Sequence, residues 1–159
     1  MLTYLVDDRG AQGEYAHFLT AHAERLPRLE LEVFSSATGL QRQLAHRMPD
    51  LLLLDMQFDE GEAETLCGDL ESLAQSVRFG GDRERALAQL RRFQGVFLAQ
   101  CARKLSFEGP IVLFGTLPSQ QAERLVASQA PLRILEGLLF EPVREALLWA
   151  SEVGGVRSE

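Results

Sequence analysis

The segment Leu51-Leu52-Leu53-Leu54-Asp55 constrains the fold more than any other stretch of the chain. Successive strand residues point to opposite faces, so four leucines in a row require a strand that is covered on both sides. That is the habit of a central strand in a parallel sheet flanked by helices. A carboxylate ends the run, placing a charged group where the strand leaves the core. Two other segments share this character: Leu2-Thr3-Tyr4-Leu5-Val6 runs directly into Asp7-Asp8, and Ile111-Val112-Leu113-Phe114 follows Gly109-Pro110.

The intervening segments carry helical periodicity. Ala16, Phe18, Leu19, Ala23 and Leu26 form a stripe closed by Pro27, and Leu40 with Leu44 marks a short helix before Pro49. Ser119 to Gln129 reads as a further helix, and Val143 to Val153 as a closing one carrying Leu147, Leu148 and Trp149. Leu29 to Phe34 reads as a second strand, and Ile134 to Phe140 as a fifth, interrupted by Gly137. Strands alternating with helices imply right-handed crossovers and an α/β fold with a doubly wound five-stranded parallel sheet. Its crevice lies at the carboxyl ends of the strands. Residues 1–153 are expected to form one domain and 154–159 a loose tail.

One connection breaks the rhythm. The stretch from Asp55 to Pro110 far exceeds the ~12 residues that a helical crossover requires, so an additional helical segment is expected between strands three and four. Leu66, Leu70, Leu73 and Val77 give it an apolar stripe, and Phe79-Gly80-Gly81 gives a break. Asp82 is placed to cap a second, extended helix reaching about Leu105. The predicted insertion spans about 59–82. It is acidic before the break and basic after it, a pattern suited to mutual neutralisation in a helical hairpin.

Charge narrows the function classes. With 23 acidic against 16 basic side chains the net charge is −7, a field that repels phosphate backbones and argues against nucleic-acid binding. No window resembles a membrane span or a secretory leader, so a cytoplasmic protein without membrane association is expected. Cys67 and Cys101 show neither a disulfide framework nor a zinc spacing, and both read as core-facing. His17, His22 and His46 are scattered and are assigned to the surface.

A single aspartate at a strand end is a weak signal, because Asp often closes a strand by bonding to a turn. Here a pair follows strand one and a third ends strand three, and these strands are neighbours at the switch point of a doubly wound sheet. Carboxylates ~4 Å apart repel by roughly 4 kcal/mol at an effective dielectric of 20; they must protonate, spread or bind a cation. Oxygen ligands of this kind suit Mg²⁺ or Mn²⁺, and Mg²⁺ leaves positions open for water and phosphate oxygens. No Gly-rich phosphate loop follows strand one.

These residues, taken as Tyr4-Leu-Val-Asp-Asp8, Pro49-Asp-Leu-Leu-Leu-Leu-Asp55-Met, Pro110-Ile-Val-Leu-Phe and Phe140-Glu-Pro142-Val, resemble the receiver domain of bacterial two-component response regulators. The resemblance covers nearly the whole chain except the inserted segment and implies a flavodoxin-like receiver fold. It implies Asp55 as phosphoacceptor, and Asp7, Asp8, Asp55 and the backbone carbonyl of Gln57 as metal ligands. A histidine kinase or phosphotransfer protein and a downstream protein are its implied partners.

The chain departs from the family pattern at the switch. Gly115 stands where receivers carry a Ser or Thr, with Thr116 one residue later, and Leu138 occupies the usual aromatic position. Glu141 replaces the Lys before Pro142, which would bring a fourth carboxylate to the site. Arg9 is a candidate source of compensating positive charge. The expectation is an atypical stand-alone receiver, not an enzyme, that binds a divalent metal and signals through protein contacts. One alternative is a phosphorylation-independent pseudo-receiver scaffold. Another is a small metal-dependent phosphatase or phosphotransferase, for which the chain lacks a general acid two residues after Asp55, at Gln57.

Overall fold

The computed structural model describes residues 1–155. Five strands, β1 (Leu2–Val6), β2 (Glu30–Phe34), β3 (Leu51–Asp55), β4 (Ile111–Phe114) and β5 (Leu132–Leu135), form one sheet in the order β2-β1-β3-β4-β5. Every pairing is parallel. Helices α1 (Glu14–Ala21), α2 (Ala37–His46), α3 (Leu70–Gln75), α4 (Arg83–Arg92), α5 (Gln94–Lys104), α6 (Ser119–Ser128) and α7 (Phe140–Gly155) connect the strands or close the chain. The doubly wound five-stranded sheet expected from the sequence is thus present.

The leucine run explains the layering. Leu51 and Leu53 enter one cluster with Leu5, Val112, Phe114 and the inner faces of α1 and α7, whereas Leu52 and Leu54 enter a second with Tyr4, Val6, Ile111 and Leu113. Residues from α2 through α6 cover the second face. All four leucines are fully buried, each worth ~1.5–3 kcal/mol of transfer free energy. A polar residue at any of these positions would have no wet side to face.

The long β3–β4 connection is helical but differs in detail from the expectation. Asp82 caps α4 by accepting a hydrogen bond from Arg85 N–H at 3.1 Å, as its place before the helix predicts. The predicted single long helix is broken at Phe93 into α4 and α5. Gly95, the second residue of α5, packs against Asp55 O and Met56 Cα so closely that a Cβ would lie 2.6 and 2.8 Å from them. The predicted stripe is only partly buried: Leu66 and Leu70 lie in the core, whereas Val77 is fully exposed beyond the end of α3. Of the anticipated charge pairing between the acidic and basic halves, Arg83 with Glu71 at 3.0 Å is an ion pair.

Three boundaries also move. α1 ends at Ala21, although Leu26 remains buried. β5 stops at Leu135 and the chain turns through Gly137 at φ +82°, so Phe140 starts a helix rather than ending a strand. Pro142 lies in the first turn of α7, where its missing N–H costs no helical hydrogen bond. α7 continues through Gly154 and Gly155, so the expected tail is helical at its start; 156–159 lie outside the described residues.

Candidate metal and phosphoryl site

β1 and β3 pair side by side with Val6 opposite Leu54, which brings the residues just past β1 level with Asp55. This is the switch point of the sheet, where connections leave to opposite faces. Carboxylate oxygens of Asp7, Asp8 and Asp55 lie within 4.8 Å of one another.

Each acid is held differently. Asp7 is 2% exposed; its N–H donates to Phe34 O at 3.0 Å, and its Oδ1 accepts from Arg9 N–H at 3.1 Å. Gly13 makes room for its other oxygen, since a Cβ there would sit 2.0 Å from Asp7 Oδ2. Asp8 Oδ2 accepts from the backbone N–H groups of Asp59 at 2.7 Å and Glu60 at 3.0 Å, tying the loop after β3 to the end of β1. Asp55 Oδ1 accepts from the Tyr15 hydroxyl at 3.3 Å, and the Tyr15 ring lies 4.8 Å from that of Phe114.

The electrostatics are those of a cation site. Burial, reinforced by the charge of Asp7, pushes Asp55 up to about 7 against the smaller opposing effect of the Gln57 N–H. Burial also pushes Asp7 up to about 6, with Asp8 adding to it and the Arg9 N–H opposing. Burial and the adjoining Asp55 raise the Tyr15 phenol, which therefore stays a neutral donor. Acids that resist ionisation beside one another gain most from a divalent ion. The all-oxygen donor set fits Mg²⁺ or Mn²⁺.

Asp55 opens onto a cavity of about 460 Å³ walled by Glu14, Tyr15, Met56, Gln57, Asp59, Arg92, Phe93, Phe114, Gly115 and Thr116. Arg9 lines a neighbouring recess over the acids, with Asp7, Asp8, Asp55 and Asp59. Gly115 adopts φ +153°, and a Cβ there would meet Met56 Cβ at 2.3 Å, so a larger residue is excluded without rearrangement. Thr116, beside Gly115, and Tyr15 bring hydroxyl-bearing side chains to the cavity lining. Leu138 packs into the core cluster beside α1 and α7 and lines neither recess.

The expected fourth carboxylate is not at the site. Glu141 is exposed at the start of α7, lies 3.7 Å from Arg144 and lines neither recess. Because β5 ends early and Phe140 begins a helix, Glu141 belongs to that helix's first turn and not to a loop over Asp55. Sequence reasoning singled out the three acids and Gln57 but missed Gly13, Tyr15 and Arg92. Gly13 and Tyr15 meet the acids only through the fold, and no spacing rule marks them. Arg92 is one of several basic residues after the break in the β3–β4 connection, and its spacing does not set it apart from them.

No family model matches the chain, and no curated protein does. Among solved structures, the receiver domain of the Francisella response regulator 1452 matches over 99% of this chain and 98% of its own, with a TM-score of 0.62 and 11% sequence identity. The chain has the receiver fold. Within that fold, the three acids occupy the carboxyl edge of the sheet at its switch point, the position where doubly wound sheets bind ligands. No described helix of this receiver-fold chain is long and apolar enough to cross a membrane.

Proposed function

We propose that this protein is an atypical response-regulator receiver that binds a divalent metal through Asp7, Asp8, Asp55 and the Gln57 carbonyl and accepts a phosphoryl group on Asp55. The observation that carries the reading is the convergence of three carboxylates on the switch point, with Asp55 alone of the three facing the larger cavity. A divalent ion supplies charge neutralisation for the acids and for the incoming phosphoryl oxygens. An Asp55 carboxylate oxygen attacks the donor phosphorus, the P–O or P–N bond of the donor breaks, and the leaving group takes the electron pair. Tyr15 orients the nucleophile through its hydrogen bond to Oδ1. The donor is a histidine kinase or phosphotransfer protein, and output passes through contacts with a downstream protein.

Intact-mass analysis after incubation with acetyl phosphate and Mg²⁺ tests this directly. A single phosphoryl adduct is expected on the parent and none on Asp55→Asn. An unmodified parent under conditions that saturate the metal site would sink the reading. A second reading has its own support: the crowded Gly115 removes the hydroxyl that receivers use at that position, which favours a scaffold that keeps fold and metal but not phosphorylation. That scaffold would bind Mg²⁺ yet form no adduct and no beryllofluoride complex.

A further inference from the structure

The cavity at Asp55 is lined by three acids and one base. Glu14, Asp55 and Asp59 contribute negative charge, and among the described residues that line it Arg92 alone is cationic. A phosphoryl group entering this cavity brings further negative charge, and neither Glu141 nor Gly115 can hold its oxygens.

Arg92 is the last residue of α4, and the backbone on either side of it is fastened to the loop that follows Asp55. Phe58 N–H donates to Arg91 O at 2.8 Å, and Gly95 N–H donates to Met56 O at 2.9 Å. Both anchors lie within three residues of Asp55, so the break between α4 and α5 is registered directly against the acceptor. Glycine is the residue type that fits at position 95, because a Cβ there would lie 2.4 Å from Leu113 Cδ1 and 2.6 Å from Asp55 O.

Two other arginines of α4, Arg83 at its start and Arg91 beside Arg92, are committed elsewhere. Arg83 pairs with Glu71, and Arg91 donates to Gly61 O at 2.6 Å. Arg92 is exposed, makes no ion pair among the described residues, and has its guanidinium 5.4 Å from the centre of the Phe93 ring. Phe93 itself lines the cavity, so the guanidinium rests at the rim on an aromatic platform.

We propose that Arg92 is the phosphoryl-binding cation of this site, its guanidinium closing from the cavity wall on the oxygens of a group attached to Asp55. The planar fork of an arginine suits two oxygens of one phosphoryl group, and a charge at this place substitutes for the lysine that is absent before Pro142. The assignment rests on Asp55 being the acceptor. It makes the α4–α5 junction, rather than the β5–α7 loop, the element that senses phosphorylation.

Beryllofluoride, which mimics the phosphoryl group on a carboxylate, is the probe, with Mg²⁺ affinity measured separately by calorimetry. Arg92→Ala is expected to weaken beryllofluoride binding by about 10- to 100-fold while leaving Mg²⁺ affinity within about twofold. Arg92→Lys should recover part of the loss, and Arg78→Ala, which removes the same charge outside the cavity, should bind beryllofluoride as the parent does. Parent protein that binds beryllofluoride through Asp55, with Arg92→Ala binding it equally well, overturns the assignment and leaves the acceptor reading standing. A parent that binds Mg²⁺ but neither beryllofluoride nor a phosphoryl group overturns both. Thermal unfolding of Arg92→Ala checks that any loss is not a loss of fold.

Discussion

Asp7 and Asp55 hold protons that exposed carboxylates would have released. Their values of about 6 and about 7 stand above the ordinary carboxylate range, chiefly because both are withdrawn from water, with Asp8 adding to the rise at Asp7 and Asp7 to that at Asp55. In the unfolded chain both return to ~4. Between about pH 4 and pH 7 the folded protein therefore binds more protons than the unfolded chain, and metal-free stability falls as pH rises through that window. Mg²⁺ reverses the effect by stabilising the ionised acids. The gain in Tm on adding saturating Mg²⁺ should be larger at pH 8 than at pH 5. Asp55→Asn should raise the metal-free Tm at pH 8 by ~2–4 °C, the size of ~1 kcal/mol in a domain of this length. Differential scanning calorimetry at the two pH values decides it, and an equal Mg²⁺ gain at both would contradict a protonated acid cluster. The three acids were legible because each follows an apolar strand, a local pattern. Tyr15 and Gly13 were not, because their roles are steric and hydrogen-bonding contacts across elements.

Between strands three and four, local pattern predicted helices but not where they break. Periodicity places apolar residues on one side of a continuous helix from Asp82 to Leu105, whereas the chain breaks helix at Phe93 and seats Gly95 against the end of β3. A buried amide then fixes the adjoining loop. Gln94 has no exposed surface; its Nε2 donates to Cys67 O at 3.0 Å and Leu90 O at 3.2 Å, while its Oε1 accepts from Cys67 N–H. One side chain thus satisfies both backbone groups of Cys67, as a neighbouring strand would. Gln94→Leu keeps the volume but leaves that N–H and C=O without partners in the core. It should cost about 2–4 kcal/mol in denaturant unfolding, and hydrogen exchange should quicken first from Leu66 to Gly68. A variant as stable as the parent would show that water replaces the amide. Val77 marks the limit of pattern here: it continues the heptad-like spacing of Leu66, Leu70 and Leu73, but the chain turns at Ser76 before it can reach the core.

Across the whole molecule, the two ends of the sheet carry different loads. The carboxyl edge concentrates repelling acids, which lower stability in the absence of a ligand. The opposite edge is braced by Arg103 on α5. Its guanidinium donates to Phe107 O at 2.9 Å, Gly109 O at 2.7 Å, Gln129 O at 2.8 Å and Pro131 O at 3.0 Å, joining the turns that lead into β4 and β5. These carbonyls belong to two chain segments brought together only by the parallel pairing of β4 and β5, so no sequence motif announces the brace. Arg103→Ala would strip several charge-assisted hydrogen bonds at once and should lower stability by about 2–4 kcal/mol. Arg103→Lys should recover little, since one ammonium cannot span carbonyls that a planar fork reaches in three directions. The site lies at the far end of the strands, so Mg²⁺ affinity measured below the unfolding transition should stay within about twofold of the parent. Urea unfolding paired with Mg²⁺ calorimetry on the same variant checks both halves. A large loss of metal affinity would mean that the β4–β5 turns and the acid cluster share one cooperative unit, and that the brace supports the site as well as the fold.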